Sequence, residues 1–187
     1  MTKKEILDAI HGKMIISCQA VEGEPLYVEE KSIMYLMARA AKQAGTPAIR
    51  TSSIRDVIAI KEETGLPVIG LVKIQYLGYE GYITPTMKEV DDLVAAGSDV
   101  VALDCTLRKR GDGSTVNEFI AQIKEKYPDI ILMADISNYE EGINAWKCGV
   151  DIVGTTMSGY TDYTSKKDEP DSVSYTHLRA HETKANL

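Results

Sequence analysis

No run in this 187-residue chain is long and apolar enough to span a bilayer, and the opening MTKKEILDAIHGK lacks the apolar core of a secretion signal. Neither membrane insertion nor secretion is expected. Positive charge is also scarce. Lys and Arg number 21 against 28 Asp and Glu, a formal charge of -7, which disfavours non-specific binding to nucleic acid or anionic membranes but permits a local cationic pocket. The three cysteines, Cys18, Cys105 and Cys148, are odd in number, widely spaced and set in apolar segments. They read as reduced core thiols, not a disulfide frame or zinc site, and point to the cytoplasm. A Gly-rich GxGxxG fingerprint is missing after the first strand, where the chain reads SCQAVEGEPL.

What is present is a repeating pattern in a composition that is 44% apolar and 26% charged, enough to bury the core of one globular domain. After a helix opened by a capping box at Thr2 and Glu5, six short apolar strands recur: MIISCQ, AIRT, PVIGLVK, VVALD, IILMAD and DIVGTT. The first five lead into helical patterns expected at Ser32 to Ala44, Ser53 to Thr64, Thr86 to Ala96, Ser114 to Tyr127 and Ser137 to Cys148. Ser53 with Asp56, Thr86 with Glu89, and Ser137 with Glu140 are the expected caps, and Gly45, Gly65, Gly97 and Gly149 the expected stops. Strands apolar on both faces and joined through helices must run parallel, so the class is α/β. Units advance by about 27 residues, so a closed (β/α)8 barrel would need roughly 220 to 230, close to the usual length of that fold. The expectation is therefore a TIM (β/α)8-type barrel with about six of its eight strands present. Residues 1–171 read as a partial barrel domain and 172–187 as an unrelated or disordered tail. His177 and His181 stand four apart in that tail, a weak pattern for a metal pair.

In a parallel barrel the C-terminal strand ends form the reaction face. Polar residues end these strands: Gln19, Arg50, Lys73, Asp104, Asp135, and Thr155 with Thr156. A strand meeting solvent explains any one of them, but an amide, a guanidinium, an amine and two carboxylates around one mouth suit a polyhydroxylated substrate. Lys73 admits three chemical roles: Schiff-base nucleophile, general base, or point charge for a phosphate. Arg50 serves either an anionic substrate group or a pair with Asp104 or Asp135. No histidine ends a strand, which disfavours a metal.

The motifs SCQA with EPL, AIR, PVIGLVK, VALD with Thr106, MADI, and GTT with GYT at Tyr160 occur in an order that resembles the N-acetylmannosamine-6-phosphate 2-epimerase family, from Lys13 to about Tyr163. The resemblance implies an isomerase of sialic acid breakdown, acting on a sugar phosphate without redox or metal cofactor, and commonly dimeric. It implies inversion at C2 by removal and return of a proton, with Lys73 as the catalytic base and Gln19, Arg50, Asp135, Thr155 and Thr156 around the substrate. It also implies a catalytic glutamate on a seventh strand and phosphate-binding loops after the seventh and eighth. Neither segment is found here, and Glu169 and Glu182 lie in no matching motif. Activity of the 187-residue chain is accordingly expected near background. The competing readings are a Schiff-base aldolase and a non-catalytic sugar-phosphate-binding barrel.

Overall fold

Apolar strands that alternate with amphipathic helices fold so that each helix covers the strand pair it connects. A computed structural model describes residues 1–164. Among these, the order is α1 (Lys3–Ile10), β1 (Ile16–Ser17), α2 (Met34–Gln43), β2 (Ile49–Ser52), α3 (Ile54–Thr64), β3 (Val68–Leu71), α4 (Met87–Ala95), β4 (Val100–Asp104), α5 (Val116–Lys126), β5 (Ile131–Asp135), α6 (Tyr139–Lys147) and β6 (Ile152–Gly154). The segment 172–187, with His177, His181 and Glu182, lies outside the described residues, as does Glu169.

All six strands pair in parallel, in the order β1-β2-β3-β4-β5-β6. An open doubly wound sheet needs a point where the strand order reverses, and this sheet has none. Right-handed crossovers then place α2 to α6 on one face and leave the other for an interior, which is the wall of a barrel. The pleat divides the apolar residues accordingly. Val68, Val101, Leu103, Leu132 and Ala134 pack outward with Val57, Ile60, Leu93, Phe119, Ile120 and Ile123 of the helices. Ile69, Leu71, Val100, Ala102 and Ile131 face inward, joined by Ile6 of α1 and by Ile83 and Met157 of two loops. Curvature is evident in one contact: Arg50 of β2 bonds Asp135 of β5 at 2.7 Å. Those strands stand three apart, roughly 14 Å along a flat sheet.

Local signals explain the helix ends, with corrections. Thr2 with Glu5 and Thr86 with Glu89 form full capping boxes, and the Ser53 side chain accepts from the Asp56 N–H. Ser137 does not cap α6. Asn138 does, because Ser137 gives both its N–H and its hydroxyl to the buried Glu141 carboxylate at 2.7 Å. Thr115, not Ser114, caps α5. The first strand is shorter than MIISCQ suggests, since Met14 is 76% exposed and only Ile16 and Ser17 pair. All four stop glycines take positive φ.

Candidate functional site

The C-terminal strand ends bring Arg50, Asp135 and Thr156 together. Arg50 follows Ile49, which packs outward, so the pleat turns its guanidinium inward. Nη2 donates to Asp135 Oδ2 at 2.7 Å, Nη1 lies 3.2 Å from Met133 Sδ, and Thr156 Oγ1 donates to Asp135 Oδ1 at 2.7 Å. Asp135 has no exposed surface. Burial pushes its carboxyl above the usual range, opposed by the Arg50 guanidinium and the Thr156 hydroxyl.

Asp104, opposite Asp135 in the register, has its own partners. Arg108 Nη2 and the Thr106 hydroxyl each reach it at 2.5 Å, and the Thr106 N–H donates at 3.0 Å. A Cβ on Gly81 would stand 2.8 Å from Asp104 Oδ2, so the loop after β3 passes this carboxylate only because that position lacks a side chain. Two neighbouring carboxylates are thus each held by a separate guanidinium. Arg50 belongs to Asp135, which settles its choice between the two.

Gln19 stands two residues beyond Ser17, whose register partner is the inward-facing Arg50. Its Nε2 donates to Ser17 Oγ at 2.7 Å, whereas its Oε1 is buried with no hydrogen-bond partner among the described residues. Ser52 Oγ, at the end of β2, is likewise buried and unpartnered. Its register partner Leu71 belongs to the interior cluster, so Ser52 shares that face. An unmet buried oxygen typically costs about 1–3 kcal/mol.

Lys73 lies two residues past the end of β3 and is exposed. It pairs as an isolated antiparallel bridge with Ile83 of the interior cluster, and residues directly opposite in such a pair point to the same side. The amine therefore rises from the interior face. It makes no hydrogen bond or ion pair among the described residues, so Asp135 does not orient it directly. Thr155 is exposed, and its carbonyl accepts from the Ser158 N–H at 3.2 Å.

Comparison with known proteins identifies the frame. A family described as "Putative N-acetylmannosamine-6-phosphate epimerase" matches residues 34–185. The chain belongs to this epimerase family. A relative from Caldanaerobacter subterraneus, named "Putative N-acetylmannosamine-6-phosphate 2-epimerase", is 51% identical over 167 residues, 89% of this chain and 70% of its own length. One of the same name from Clostridioides difficile is 48% identical over 168 residues, 90% of this chain and 74% of its own. The structure of the N-acetylmannosamine-6-phosphate 2-epimerase from Clostridium perfringens is similar with a TM-score of 0.86 and 45% identity, covering 94% of this chain and 75% of that one. The six parallel strands are thus part of the epimerase family's TIM-barrel frame.

Several residues of this epimerase mouth escape a sequence reading. Arg108 clamps Asp104 from the loop that follows it, beside the motif residue Thr106, and only the run RKR hints at a paired cation. Tyr82 packs against the interior cluster, its hydroxyl pushed up by burial and then lowered by Arg108. Nothing in GYEGYIT marks it in advance. Among the described residues, no three His, Cys, Asp or Glu side chains converge in a way that could hold a metal ion.

Proposed function

We propose that this chain carries the proton-transfer half of a C2 epimerase site that interconverts N-acetylmannosamine 6-phosphate and N-acetylglucosamine 6-phosphate. The observation that carries the reading is an amine on the interior face of an epimerase-family barrel, paired with no carboxylate among the described residues, above a set of fixed polar groups. In the open-chain sugar, C2 lies beside the C1 aldehyde. Lys73 takes the C2 proton, the C–H electron pair moves onto the aldehyde oxygen as an enolate, and return of a proton to the opposite face inverts the centre. Among the described residues, Lys73 has no ion pair to be broken before it acts.

The remaining groups are assigned by their free valences. Gln19 Oε1 accepts a substrate N–H or O–H. Arg50 spends one nitrogen on Asp135, and its other donors are available to a substrate oxygen. Asp135 holds Arg50 and Thr156 in place, and Thr155 and Thr156 line the rim. The small-molecule partner is a sugar phosphate. Dimerisation is part of this reading and is checked by sedimentation. A cytoplasmic site of action fits the free cysteines, of which Cys18 and Cys105 are buried. Among the described residues, no helix is long and apolar enough to cross a membrane.

The test is proton exchange. A version of the chain extended by the remaining strands of the family barrel is incubated with N-acetylmannosamine 6-phosphate in D2O and followed by NMR, with Lys73→Met in the same background beside it. Expected are deuterium at C2, appearance of the epimer, and a loss of roughly 10²- to 10⁴-fold in the variant. A borohydride-stable adduct on Lys73 would instead identify a Schiff-base enzyme, and exchange undiminished in Lys73→Met would remove the lysine from the mechanism.

A further inference from the structure

The β3–β4 ladder stops where its geometry says it should continue. Ile69 pairs with Val100 and Gly70 with Val101, and there the register ends. In this sheet an N–H reaches the carbonyl one residue before its register partner, as Ile49, opposite Val68, reaches Pro67. Extended by two residues, the same rule sends the Val72 N–H to the Ala102 carbonyl. Thr84 occupies that bond. Its Oγ1 accepts from the Val72 N–H at 3.2 Å and donates to the Ala102 carbonyl at 2.7 Å.

Three backbone bonds complete the wedge. The Thr84 N–H donates to Val72 at 2.7 Å, the Ile74 N–H to Tyr82 at 2.9 Å, and the Asp104 N–H to Ile83 at 3.0 Å. Residues 82–84 are thus inserted between the parted ends of β3 and β4, with Lys73 on one side and Asp104 on the other. Thr84 is wholly buried and has φ +46, a conformation in which a β-branched residue is an outlier. Strain of this kind persists only where the surroundings over-determine it, and it clusters at functional sites.

We propose that Thr84 is the positioning residue of Lys73. By bonding both the N–H and the carbonyl of Val72, it fixes the peptide from which Lys73 departs and ties that peptide to β4. The amine gains its bearing from the barrel wall, since no side chain among the described residues supplies one. The proposal rests on the reading of Lys73 as the base, and its test separates the two.

Three variants are compared in the extended version that carries the remaining strands of the family barrel: Thr84→Ser, which keeps the hydroxyl; Thr84→Val, which keeps the shape; and Thr84→Gly, which accepts positive φ without strain and so folds even if the valine does not. The C2 exchange assay supplies kcat and KM. Lysines are reductively methylated with 13C-formaldehyde, and the Lys73 resonance is assigned by its loss in Lys73→Met. Thr84→Gly and Thr84→Val are expected to lower kcat by about 10- to 100-fold with KM within about twofold, as a small misplacement of a reacting group does. They should move the Lys73 resonance and leave that of Lys61 in place. Thr84→Ser should restore both. Wild-type kcat and an unmoved Lys73 resonance in Thr84→Gly would overturn the proposal. A moved resonance in a protein that lacks exchange activity would uphold the positioning and sink the base assignment. Loss of exchange in Lys73→Met with none in Thr84→Gly would do the reverse.

Discussion

Asp135 is pulled in two directions, by burial toward its neutral form and by Arg50 and Thr156 toward its charged one, and burial is the larger. Its pKa is raised from an ordinary 3.8, so over a window above that value the folded chain keeps a proton that the unfolded chain has released. Stability therefore falls as pH rises through that window. Urea titrations at several pH values should show the gap between the protein and its Asp135→Asn variant change across the carboxylate range, and a pH-independent gap would contradict the assignment. Asp135→Ala, which strands a guanidinium whose side chain is only 13% exposed, should cost about 3–5 kcal/mol in the same measurement. The cysteines behave more simply. Burial raises all three thiols, Cys105 well above its ordinary value, while Cys148 alone of the three is partly exposed. Cys148 should react first with a thiol reagent in the native protein, with Cys18 and Cys105 following only on unfolding. Mass mapping of a partial labelling would decide this.

At the scale of the element, Gly70 shows how tightly the helices lie on the sheet. A Cβ there would stand 2.2 Å from Ser98 Oγ, 2.9 Å from Leu93 Cδ2 and 3.1 Å from Val57 Cγ2, in the seam where α3 and α4 cover β3. Gly70→Ala should destabilise the protein by about 1–3 kcal/mol without touching the mouth, as overpacking does. A denaturant midpoint equal to that of the parent would show that the seam can open. The elements were legible because their signals are local: a capping box such as Thr86 with Glu89 is written within four residues, and the inward and outward sets of β3 and β4 follow from their two-residue alternation. What failed was also local. Ser137 was displaced as a cap by a competing buried acceptor, Glu141, which also takes the Leu107 N–H from another loop. At the mouth, composition and position pointed to Arg50 and Asp135, but not that each carboxylate would have its own guanidinium. Nor did the letters VIGLVK and YITPT disclose a hydroxyl set into a ladder bond, because that depends on register between segments twelve residues apart.

Across the whole molecule, the sheet is unevenly stitched. The pairing of β4 with β5 runs over five residues, whereas β1 with β2 and β3 with β4 each hold only two. Both β4 and β5 are buried along most of their length beneath Phe119, Ile120 and Ile123. Native-state hydrogen exchange should find the slowest amides in β4 and β5 and much faster ones in β1. Uniform protection along all six strands would mean that the sheet opens only as a unit. The tie between Arg50 and Asp135 joins positions 85 residues apart in a sheet whose strands otherwise meet their neighbours in order. During synthesis, then, Arg50 emerges from the ribosome long before its counter-ion exists. The nascent chain can layer helices against strands from the first unit onward, but its guanidinium stays hydrated until the fifth strand has been made.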